Sequence, residues 1–396
     1  MRLRNEIKRI PLIYFANSYL KSRLQERKAK NELNYYHNKA AVNGEILPEN
    51  DVISHLLKAR LKKRGIKTNS KPKGELHIFL TYSLNNWENV LPIAIKPFGR
   101  ISEFEWSVQG LNVKSKNWID HRTQMNTMML EYFHKVNSEV PVDVVVSYLS
   151  GYVCDPVVIQ EMGKSGAIVF NFCWDDKLGF RGKKVGGRWS GPAALASVVD
   201  LNLTNSPESR IKYLGEGGLA MFWPEAANPY FHKPYELPFE YDVSVVGGNY
   251  GWRPSFVTKL RNMGVKVTCF GNGWPNGSLT DEETVKLYSR SRINLGFAGV
   301  GHSRKLMCLK GRDFEVPMSG GLYLTQDNPE LSLVYEVGKE ILTYKDEIDC
   351  AQKIKWLLEN PDIANKIRHA GRARALKNHT WEKRFNSIFY LSGIVK

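Results

Sequence analysis

Short apolar runs alternate with helical patterns along most of this chain, and that alternation limits the folds it can adopt. In the first half the runs are ELHIFLTYS at 75–83, VDVVVSYLS at 142–150 and GAIVFNF at 166–172. Each run is bounded by polar or glycine residues and has the length of a buried strand. Strands that alternate with helices are typical of a parallel sheet with helices on its faces.

The same alternation begins again in the second half of the chain. The apolar runs of this second series are YDVSVVGG at 241–248, VKVTCFG at 265–271, INLGF at 293–297, GGLYLT at 320–325 and EILTY at 340–344. One helix between them is predicted to begin at Thr280, because Thr-x-x-Glu ending at Glu283 is a capping-box pattern. We therefore predict two Rossmann-like, doubly wound α/β domains that face a cleft, with ligands beyond the C-terminal ends of the strands.

The length of 396 residues agrees with two domains of about 150 to 200 residues each. We place a helical extension and linker at 1–74, a first domain at 75–238, a second domain at 239–378 and a last helix at 379–396. The linker is predicted at 65–74, where Gly, Pro, Ser and Asn gather, and the proline-rich stretch 223–238 is predicted to join the two domains.

The composition indicates a soluble globular protein, with 42% hydrophobic and 24% charged residues. No apolar run approaches the roughly 18 to 20 residues of a membrane span, and no cleavage site follows the apolar patch near the start. The five cysteines have no metal-ligand spacing, so we expect buried thiols in a reducing compartment. Together these features predict a cytoplasmic protein.

Positive charge is concentrated at the start of the chain. The formal net charge is +16, and residues 1–74 hold about 18 Lys and Arg against about 6 Asp and Glu. A basic arm of this kind suits an anionic membrane surface or nucleic acid, and it suits a solvated helical extension equally well. Of the first two partners we expect the membrane surface, through residues 1–64, which would make the protein peripheral at the inner membrane face.

A glycine-rich turn ends the first strand of the second series. It comprises Gly247, Gly248 and Asn249 and is followed by Arg253 at the start of a predicted helix. Glycines let backbone N–H groups approach an anion, and the helix N-terminus adds roughly half a positive charge. Glycines at such a position can also be plain turn residues, so the turn alone does not decide between the two.

The stretch GRDFEVPMSGG at 311–321 sets Arg312 and Glu315 about one helical turn apart before a Gly-Gly pair. Arg312 and the adjacent Lys310 could hold a diphosphate, while the Glu315 carboxylate accepts hydrogen bonds from a ribose diol. The alternative is a surface ion pair of Arg312 with Glu315, worth at most about 1 kcal/mol.

Several motifs together resemble the GT-B glycosyltransferases, and in particular the CgeB-like spore maturation group of the glycosyl transferase group 1 proteins. In the second half the resemblance is carried by VVGGNYGWR, FGNGW, SRSRINLGF, KGRDFEVPMSGGLYLT and HAGRARALKNHTWEKR. In the first half it is carried by WDD at 174–176, DLNLTNS at 200–206 and WPEAANPYF at 223–231. The resemblance covers about residues 75–393 and leaves 1–74 outside it.

The resemblance implies that 75–238 is the acceptor domain and 239–378 the nucleotide-sugar-binding domain. Glu315 matches the second glutamate of the Glu-x7-Glu pattern found in retaining members, which usually binds the donor ribose. Met307 stands where the first glutamate would be, so neither the sugar-binding role of that residue nor the retaining stereochemistry is carried over. Arg253, Lys310 and Arg312 match groups near the diphosphate, and the last helix is implied to cross back to the first domain.

A catalytic base for an inverting reaction is expected on the acceptor side. We choose Asp176 first, then its neighbour Asp175 and His121, with Glu103 and Glu105 as further candidates. The two adjacent aspartates could also suggest a metal site, but fixed cations and helix N-termini can stabilise a leaving diphosphate without a metal. We therefore expect no metal and no cofactor other than the nucleotide-sugar substrate.

The function predicted from the sequence is transfer of a sugar from a nucleotide-sugar donor to a glycan, a lipid-linked acceptor or a cell-surface polysaccharide. Two alternatives stay open. One is a nucleotide-sugar epimerase on the same fold, and the other is a non-catalytic protein that binds glycan or nucleic acid. In the last helix, Trp381, Phe385, Ile388 and Phe389 share one face, which indicates core packing.

Overall fold

The computed structural model describes residues 11–83 and 90–396, which form two compact units. We call Asn31–Pro224 with Trp381–Lys396 the N-terminal unit. The C-terminal unit comprises Glu225–Thr380 together with the described residues up to Lys30.

Two helices open the described chain, as the sequence predicts. They are α1 (Pro11–Asn43) and α2 (Ile53–Lys63). The part of α1 from Asn31 onward is packed in the N-terminal unit, where Tyr36 is fully buried and Glu32 accepts a 3.3 Å hydrogen bond from the buried Lys212.

The structure moves the predicted domain boundary at residue 74. Ile53, Leu57 and Leu61 of α2 are buried, and Arg64 just beyond the helix forms an ion pair with the buried Asp200. Residues 31–74 therefore belong to the N-terminal unit rather than to a separate extension. The sequence did not predict this assignment, because the short apolar stripe of these helices lies among many basic residues.

The N-terminal unit is built on six parallel strands. Its elements in chain order are β1 (Leu76–Tyr82), α3 (Leu91–Ile95), β2 (Gly99–Glu105), α4 (Trp118–Glu139), β3 (Val144–Tyr148), α5 (Pro156–Lys164), β4 (Ile168–Cys173), α6 (Asp176–Gly179), β5 (Lys184–Val185), β6 (Arg188–Trp189), β7 (Leu201–Thr204), α7 (Arg210–Gly215) and β8 (Ala220–Phe222). The strand order is β2-β1-β3-β4-β7-β8, and β5 and β6 form a separate antiparallel hairpin. The three predicted runs lie in β1, β3 and β4.

Three strands of this sheet were not predicted. β2 is only half-buried, and β7 and β8 have four and three residues. Strands this short do not produce a recognisable apolar run. Short 3-10 helices lie at Asn50–Val52, Lys96–Phe98, Trp106–Val108, Pro192–Ala194, Pro207–Ser209 and Pro329–Leu333.

The C-terminal unit contains a five-stranded parallel sheet, and all five of its strands were predicted. Its elements are β9 (Tyr241–Val246), α8 (Arg253–Asn262), β10 (Val267–Phe270), α9 (Asp281–Arg290), β11 (Ser291–Leu295), α10 (Gly311–Met318), β12 (Tyr323–Gln326), β13 (Leu342–Tyr344), α11 (Glu347–Glu359) and α12 (Pro361–Asn378). The strand order β10-β9-β11-β12-β13 reverses direction between β9 and β11. Ligands of doubly wound sheets bind beside such a switch point, at the C-terminal ends of the strands.

The core of the C-terminal unit lies between this sheet and its helices. Val243 and Ile293 of neighbouring strands are buried against Phe256 and Leu260 of α8 and Ile354 of α11. All five side chains are at most 1% exposed. This packing fixes α8, and therefore its N-terminus, against the end of β9.

The capping box predicted for α9 is present. Thr280 Oγ1 accepts a hydrogen bond from the N–H of Glu283 at 3.2 Å, and Glu283 Oε2 accepts one from the N–H of Thr280 at 2.9 Å. The hydrogen bonds that the Glu283 carboxylate accepts from the N–H and the hydroxyl of Thr280 lower its pKa.

The last helix, α13 (Trp381–Ser392), belongs to the N-terminal unit. Its predicted apolar face is buried, and the ring centroids of Phe389 and Phe98 lie 5.0 Å apart. All five cysteines are buried thiols, as expected. Within the two described ranges, no helix is long and apolar enough to cross a membrane.

Candidate functional site

A turn of six residues, Gly247–Trp252, joins β9 to α8 beside the switch point; we call it the glycine turn. Gly247 has a φ of 145°, a region that favours glycine. Its N–H donates to the carbonyl of Phe270 at 2.9 Å, and its carbonyl accepts from the indole N–H of Trp274 at 2.8 Å. The FGNGW segment therefore holds the backbone of the glycine turn in place.

Asn249 holds the other side of the same turn through two hydrogen bonds. Its backbone N–H donates to the carbonyl of Asn272 at 2.8 Å, and its side-chain amide donates to the carbonyl of Gly273 at 2.8 Å. One N–H of the side-chain amide is used for this bond, so Asn249 helps to position the turn.

Arg253, the first residue of α8, is a buried cation. Its side chain is 5% exposed, and its guanidinium lies 4.4 Å from the centroid of the Tyr250 ring and donates to the carbonyl of Gly248 at 3.3 Å. Across the described part of the chain, Arg253 has no carboxylate within ion-pair distance. Burial lowers the pKa of Arg253, and the neighbouring Arg312 lowers it further, yet a guanidinium stays charged near neutral pH.

Arg253 and Arg312 converge on Gly247 from two different helices. A Cβ atom on Gly247 would lie 3.4 Å from Arg253 Nη1 and 4.0 Å from Arg312 Nη2. Two like charges beside one glycine repel each other, and a bound anion would relieve the repulsion. The structure thus brings together the two arginines that the sequence placed about 60 residues apart.

The start of α10 is fixed by its own carboxylate. Asp313 Oδ2 accepts the backbone N–H of Lys310 at 2.7 Å, and Asp313 is 1% exposed. Burial raises the pKa of Asp313 to about 6, although hydrogen bonds from Lys310 and Tyr323 oppose the rise. After the helix, Gly320, with a φ of 72°, turns the chain toward β12, as the Gly-Gly pair suggested.

The alternative of an Arg312–Glu315 ion pair is not what the structure contains. Considering only residues 11–83 and 90–396, the two side chains are not within 4.0 Å of each other as an ion pair. Glu315 Oε2 instead accepts from the Tyr288 hydroxyl at 3.5 Å. Burial lowers the pKa of Arg312, but nearby Tyr323 and Tyr288 and the carboxylates of Glu315 and Asp313 leave it raised overall.

A second carboxylate, which the sequence did not single out, joins Glu315. A Cβ atom on Gly311 would lie 2.8 Å from Glu225 Oε2 and 2.8 Å from Glu315 Oε1. Both carboxylates therefore border the first residue of α10, and only glycine leaves room for them. Glu225 lies in the proline-rich stretch that was interpreted as a connection, so nothing in its local sequence indicated this position.

His232 lies near Glu315. It is 7% exposed, and its Nδ1 accepts the backbone N–H of Asn228 at 3.1 Å, which leaves the ring proton on Nε2. Burial lowers the pKa of His232, and the negative charge of Glu315 partly offsets that effect. The neutral ring is thus favoured beside Glu315.

The site contains two kinds of chemical group a short distance apart, positively charged groups and carboxylates. The arginines and the N-termini of α8 and α10 offer positive charge for an anion such as a diphosphate. The carboxylates of Glu225 and Glu315 offer hydrogen-bond acceptors for hydroxyl groups. Of the predicted donor-site residues, Arg253, Arg312 and Glu315 lie on α8 and α10, which start at this edge of the sheet, and Lys310 immediately precedes α10.

Asp176, the first choice for the base, is in the wrong environment for that role. Its side chain is 0% exposed, and Oδ2 accepts from the Tyr213 hydroxyl at 2.9 Å. Burial raises the pKa of Asp176 to about 6, against hydrogen bonds from Thr204 and the nearby charge of Lys212. A carboxyl without exposed surface cannot contact an acceptor, so we interpret Asp176 as an internal structural group.

The other base candidates of the N-terminal unit keep exposed surface. Asp175 precedes α6 and is exposed, and His121 lies in the first turn of α4, where its Nε2 is 2.8 Å from the side-chain nitrogen of Asn117. Glu105 is exposed, whereas Glu103 accepts a hydrogen bond from Tyr82. In the portion of the chain that is described, no group of three or more His, Cys, Asp or Glu is arranged to hold a metal ion.

Comparison with known proteins connects this geometry to a family. Residues 253–389, which include α8, α10 and most of the site, match the model of the glycosyl transferase-like family. No curated protein matches the chain.

Several solved structures have the same fold. Sucrose-phosphate synthase from Thermosynechococcus elongatus superposes with a TM-score of 0.54 at 14% identity, over 80% of this chain and 87% of that one. HepE of Anabaena in complex with UDP superposes with a TM-score of 0.53 at 10% identity, over 80% of this chain and 99% of HepE. A glycosyltransferase from Rickettsia africae superposes with a TM-score of 0.51 at 11% identity, over 81% of this chain and 98% of that one. The two predicted Rossmann-like domains are confirmed as those of the GT-B fold.

Proposed function

We propose that this chain, a GT-B glycosyltransferase by its fold and by the family of its residues 253–389, moves a sugar from a nucleotide-sugar donor to a glycan, a lipid-linked acceptor or a cell-surface polysaccharide. The donor binds in the C-terminal unit, at the switch point of the five-stranded sheet. No metal ion takes part, since the protein's own cations hold the diphosphate. The five buried thiols support a reducing compartment, and we place the enzyme in the cytoplasm.

The proposal rests on one observation: two guanidinium groups, from Arg253 and Arg312, approach the same glycine, Gly247, directly after β9. Of the two, Arg253 is buried and has no carboxylate of the described residues within ion-pair distance, and burying a charge in this way is costly unless an anion binds there. A diphosphate has the charge and the width to contact both arginines, and a guanidinium can donate two parallel hydrogen bonds to phosphate.

The same charges account for the chemical step. As the bond from the sugar to the diphosphate breaks, negative charge develops on the leaving oxygen. Fixed cations and helix N-termini stabilise that charge without reorganising, because the hydrogen bonds of the glycine turn already hold them. Lys310, at the start of α10, adds a third cation on the same side.

Glu315 accepts hydrogen bonds from the ribose diol, and Glu225 offers a second acceptor for the hydroxyls of the donor. The carboxylates border α10 at Gly311, next to Arg312 in sequence. A ligand that carries phosphate at one end and hydroxyls close by matches this order of groups. A nucleoside diphosphate sugar has both.

Uridine nucleotides are the first donors to test. The HepE structures with the same fold contain UDP, UDP with glucose, and UDP-glucose. The base and the sugar used by this chain are selected by contacts outside the diphosphate site, so the panel should also include GDP, CDP and dTDP sugars.

For the base that deprotonates the acceptor we propose Asp175, with His121 as the second candidate. Both keep exposed surface on the N-terminal unit, which Asp176 does not. An Asp175→Asn enzyme should retain donor binding and lose turnover, whereas Asp176→Asn should leave turnover intact.

The direct test is donor turnover followed by mass spectrometry, with each nucleotide sugar incubated with and without a set of glycan and lipid-linked acceptors. We expect a glycosylated acceptor and a free nucleoside diphosphate. Arg253→Gln should abolish both, and Arg100→Gln, which removes a half-exposed arginine paired with Glu139, should not change them. Release of an epimerised free sugar with no acceptor present would contradict the transferase and favour an epimerase.

A further inference from the structure

Residues 18–30 of α1 pack against the rest of the C-terminal unit with their polar side. The residues that face the protein are Ser18, Ser22, Gln25 and Ala29, spaced by three or four positions, so they share one face. Ser18 Oγ lies 3.2 Å from Nδ1 of His302, and Gln25 Oε1 accepts the backbone N–H of His302 at 2.8 Å.

Glu26 completes this inner face. Its Oε1 accepts hydrogen bonds from the hydroxyl of Ser303 at 2.7 Å and from the hydroxyl of Ser22 at 3.0 Å. Its other carboxylate oxygen lies 3.7 Å from Arg23. The only carboxylate between residues 19 and 30 is therefore turned toward the protein.

The outer face of the same segment carries its large apolar side chains. Tyr19 is 64% exposed, Leu20 60% and Leu24 67%. An amphipathic helix on a globular protein normally does the opposite and buries its leucines. Leu20 and Leu24 are four residues apart, so they form one continuous apolar strip on the outside of the molecule.

Every other exposed residue of this segment is a cation. These residues are Lys21, Arg23, Arg27, Lys28 and Lys30. On a helical wheel the cations flank the two leucines on both sides. The outer face of residues 19–30 therefore combines an apolar centre with positive margins and exposes no carboxylate.

We propose that this outer face docks on the surface of an anionic lipid bilayer, with Leu20 and Leu24 inserted among the acyl chains. Lysine and arginine can extend their charged ends to lipid phosphates while their stems lie along the apolar boundary. Each cation near an anionic leaflet adds to the attraction. A protein partner is a poorer match, because two leucines and a tyrosine supply far less apolar surface than a stable interface of about 800 Å² per side requires.

The docking face is connected to the glycine turn by a short series of contacts. Residues 301–303, which α1 holds through hydrogen bonds, lie against Gly251: a Cβ atom there would be 3.4 Å from the Cα of His302 and 3.5 Å from the carbonyl of Gly301. If the proposed donor site is correct, lipid docking fixes that site at a membrane surface, where a lipid-linked acceptor would be found. The docking itself does not depend on the proposed function.

The experiment is flotation of the full-length protein with phosphatidylcholine vesicles that contain or lack phosphatidylglycerol. We expect binding to the anionic vesicles alone, weakened by raising the salt concentration because the outer cations are exposed. A Leu20→Ser/Leu24→Ser variant should bind at least about tenfold more weakly. Arg27→Gln/Lys28→Gln should lose binding at low salt to a similar degree.

The matched control is Leu376→Ser/Lys377→Gln, which changes an exposed leucine and an exposed lysine of α12 and should bind the vesicles as the unmodified protein does. Melting temperature and UDP affinity are measured on the same preparations, so that failure of the donor site is distinguishable from failure of docking. Equal binding to neutral and anionic vesicles, unchanged binding of the leucine variant, or binding to duplex DNA with none to vesicles would each overturn the proposal.

Discussion

A single glycine decides how closely two carboxylates of this site can approach the backbone. Gly311 leaves room for Glu225 and Glu315, whereas a Cβ on Gly247 would meet the two guanidinium groups at ordinary contact distances of 3.4 and 4.0 Å. The sequence indicated the arginines and Glu315 because they follow strands or sit one helical turn apart. Glu225 could not be predicted in the same way, since its contact with the site is made by folding across about 90 residues.

At Gly311 even a methyl group should disturb donor binding. In Gly311→Ala the new Cβ would meet Glu225 Oε2 and Glu315 Oε1 at 2.8 Å, so both carboxylates must shift. We expect roughly tenfold weaker nucleotide-sugar binding by calorimetry, with little loss of stability, because alanine favours a helix more than glycine does. Gly179→Ala in α6 is the control, since nothing lies within 4 Å of its Cβ. Equal affinities of the two variants would refute the role of the carboxylate pair.

Glu315 should matter to the nucleoside rather than to fold stability. Replacing it by glutamine keeps the shape but weakens hydrogen bonds from the ribose hydroxyls, so UDP affinity should fall about tenfold or more. Glu336→Gln, which removes an exposed carboxylate paired with Lys339, provides the comparison. If Glu315→Gln binds UDP as the unmodified protein does, the ribose role is incorrect.

Helices and turns set the orientation of the charged side chains of the site. The boundaries of these helices could be predicted from the sequence where a capping pattern marks them. The capping box at Thr280 and the Gly-Gly pair after α10 both appear where the sequence placed them. The inverted packing of α1 was not predictable, because a count of charges does not reveal which side of a helix faces the protein.

The N-terminal cap of α9 should make a measurable contribution to the free energy of unfolding. Thr280→Ala removes the side-chain acceptor for the N–H of Glu283 and should lower the free energy of unfolding by about 1 kcal/mol. Urea denaturation followed by circular dichroism measures it. Thr284→Ala, inside the same helix, should change stability by less than half as much; a larger effect there would argue against the cap.

At the scale of the whole molecule, the two parallel sheets followed from the alternation of strands and helices, whereas the division of the chain did not. Residues 31–74 and the last helix belong with the first sheet because buried side chains, such as Leu57 and Phe385, fix them there. Contacts between distant parts of a chain leave no local pattern, and so the sequence alone set that boundary incorrectly.

Two buried carboxyls should make stability depend on pH. Burial raises the pKa values of Asp176 and Asp313 to about 6, above the usual value of 3.8. The folded state therefore holds protons that the unfolded chain has released, and stability falls as pH rises from about 4 to about 6. Relative to the unmodified protein, Asp176→Asn should gain stability over that interval, by on the order of 1 kcal/mol or more. A difference that stays constant from pH 4 to pH 7 would contradict the raised pKa of Asp176.

Arg253 and Arg312 are proposed to form the site for the diphosphate of a nucleotide. The most direct measurement is the change in melting temperature caused by UDP, GDP, CDP and dTDP in the unmodified protein, Arg312→Gln and Arg100→Gln. We expect at least one nucleotide to stabilise the unmodified protein and Arg100→Gln. Without nucleotide, Arg312→Gln should melt at a lower temperature, because the carboxylates of Glu315 and Asp313 lose a compensating positive charge, and it should lose most of the nucleotide effect. Stabilisation by none of the four, or equal stabilisation of all three proteins, would contradict the claim.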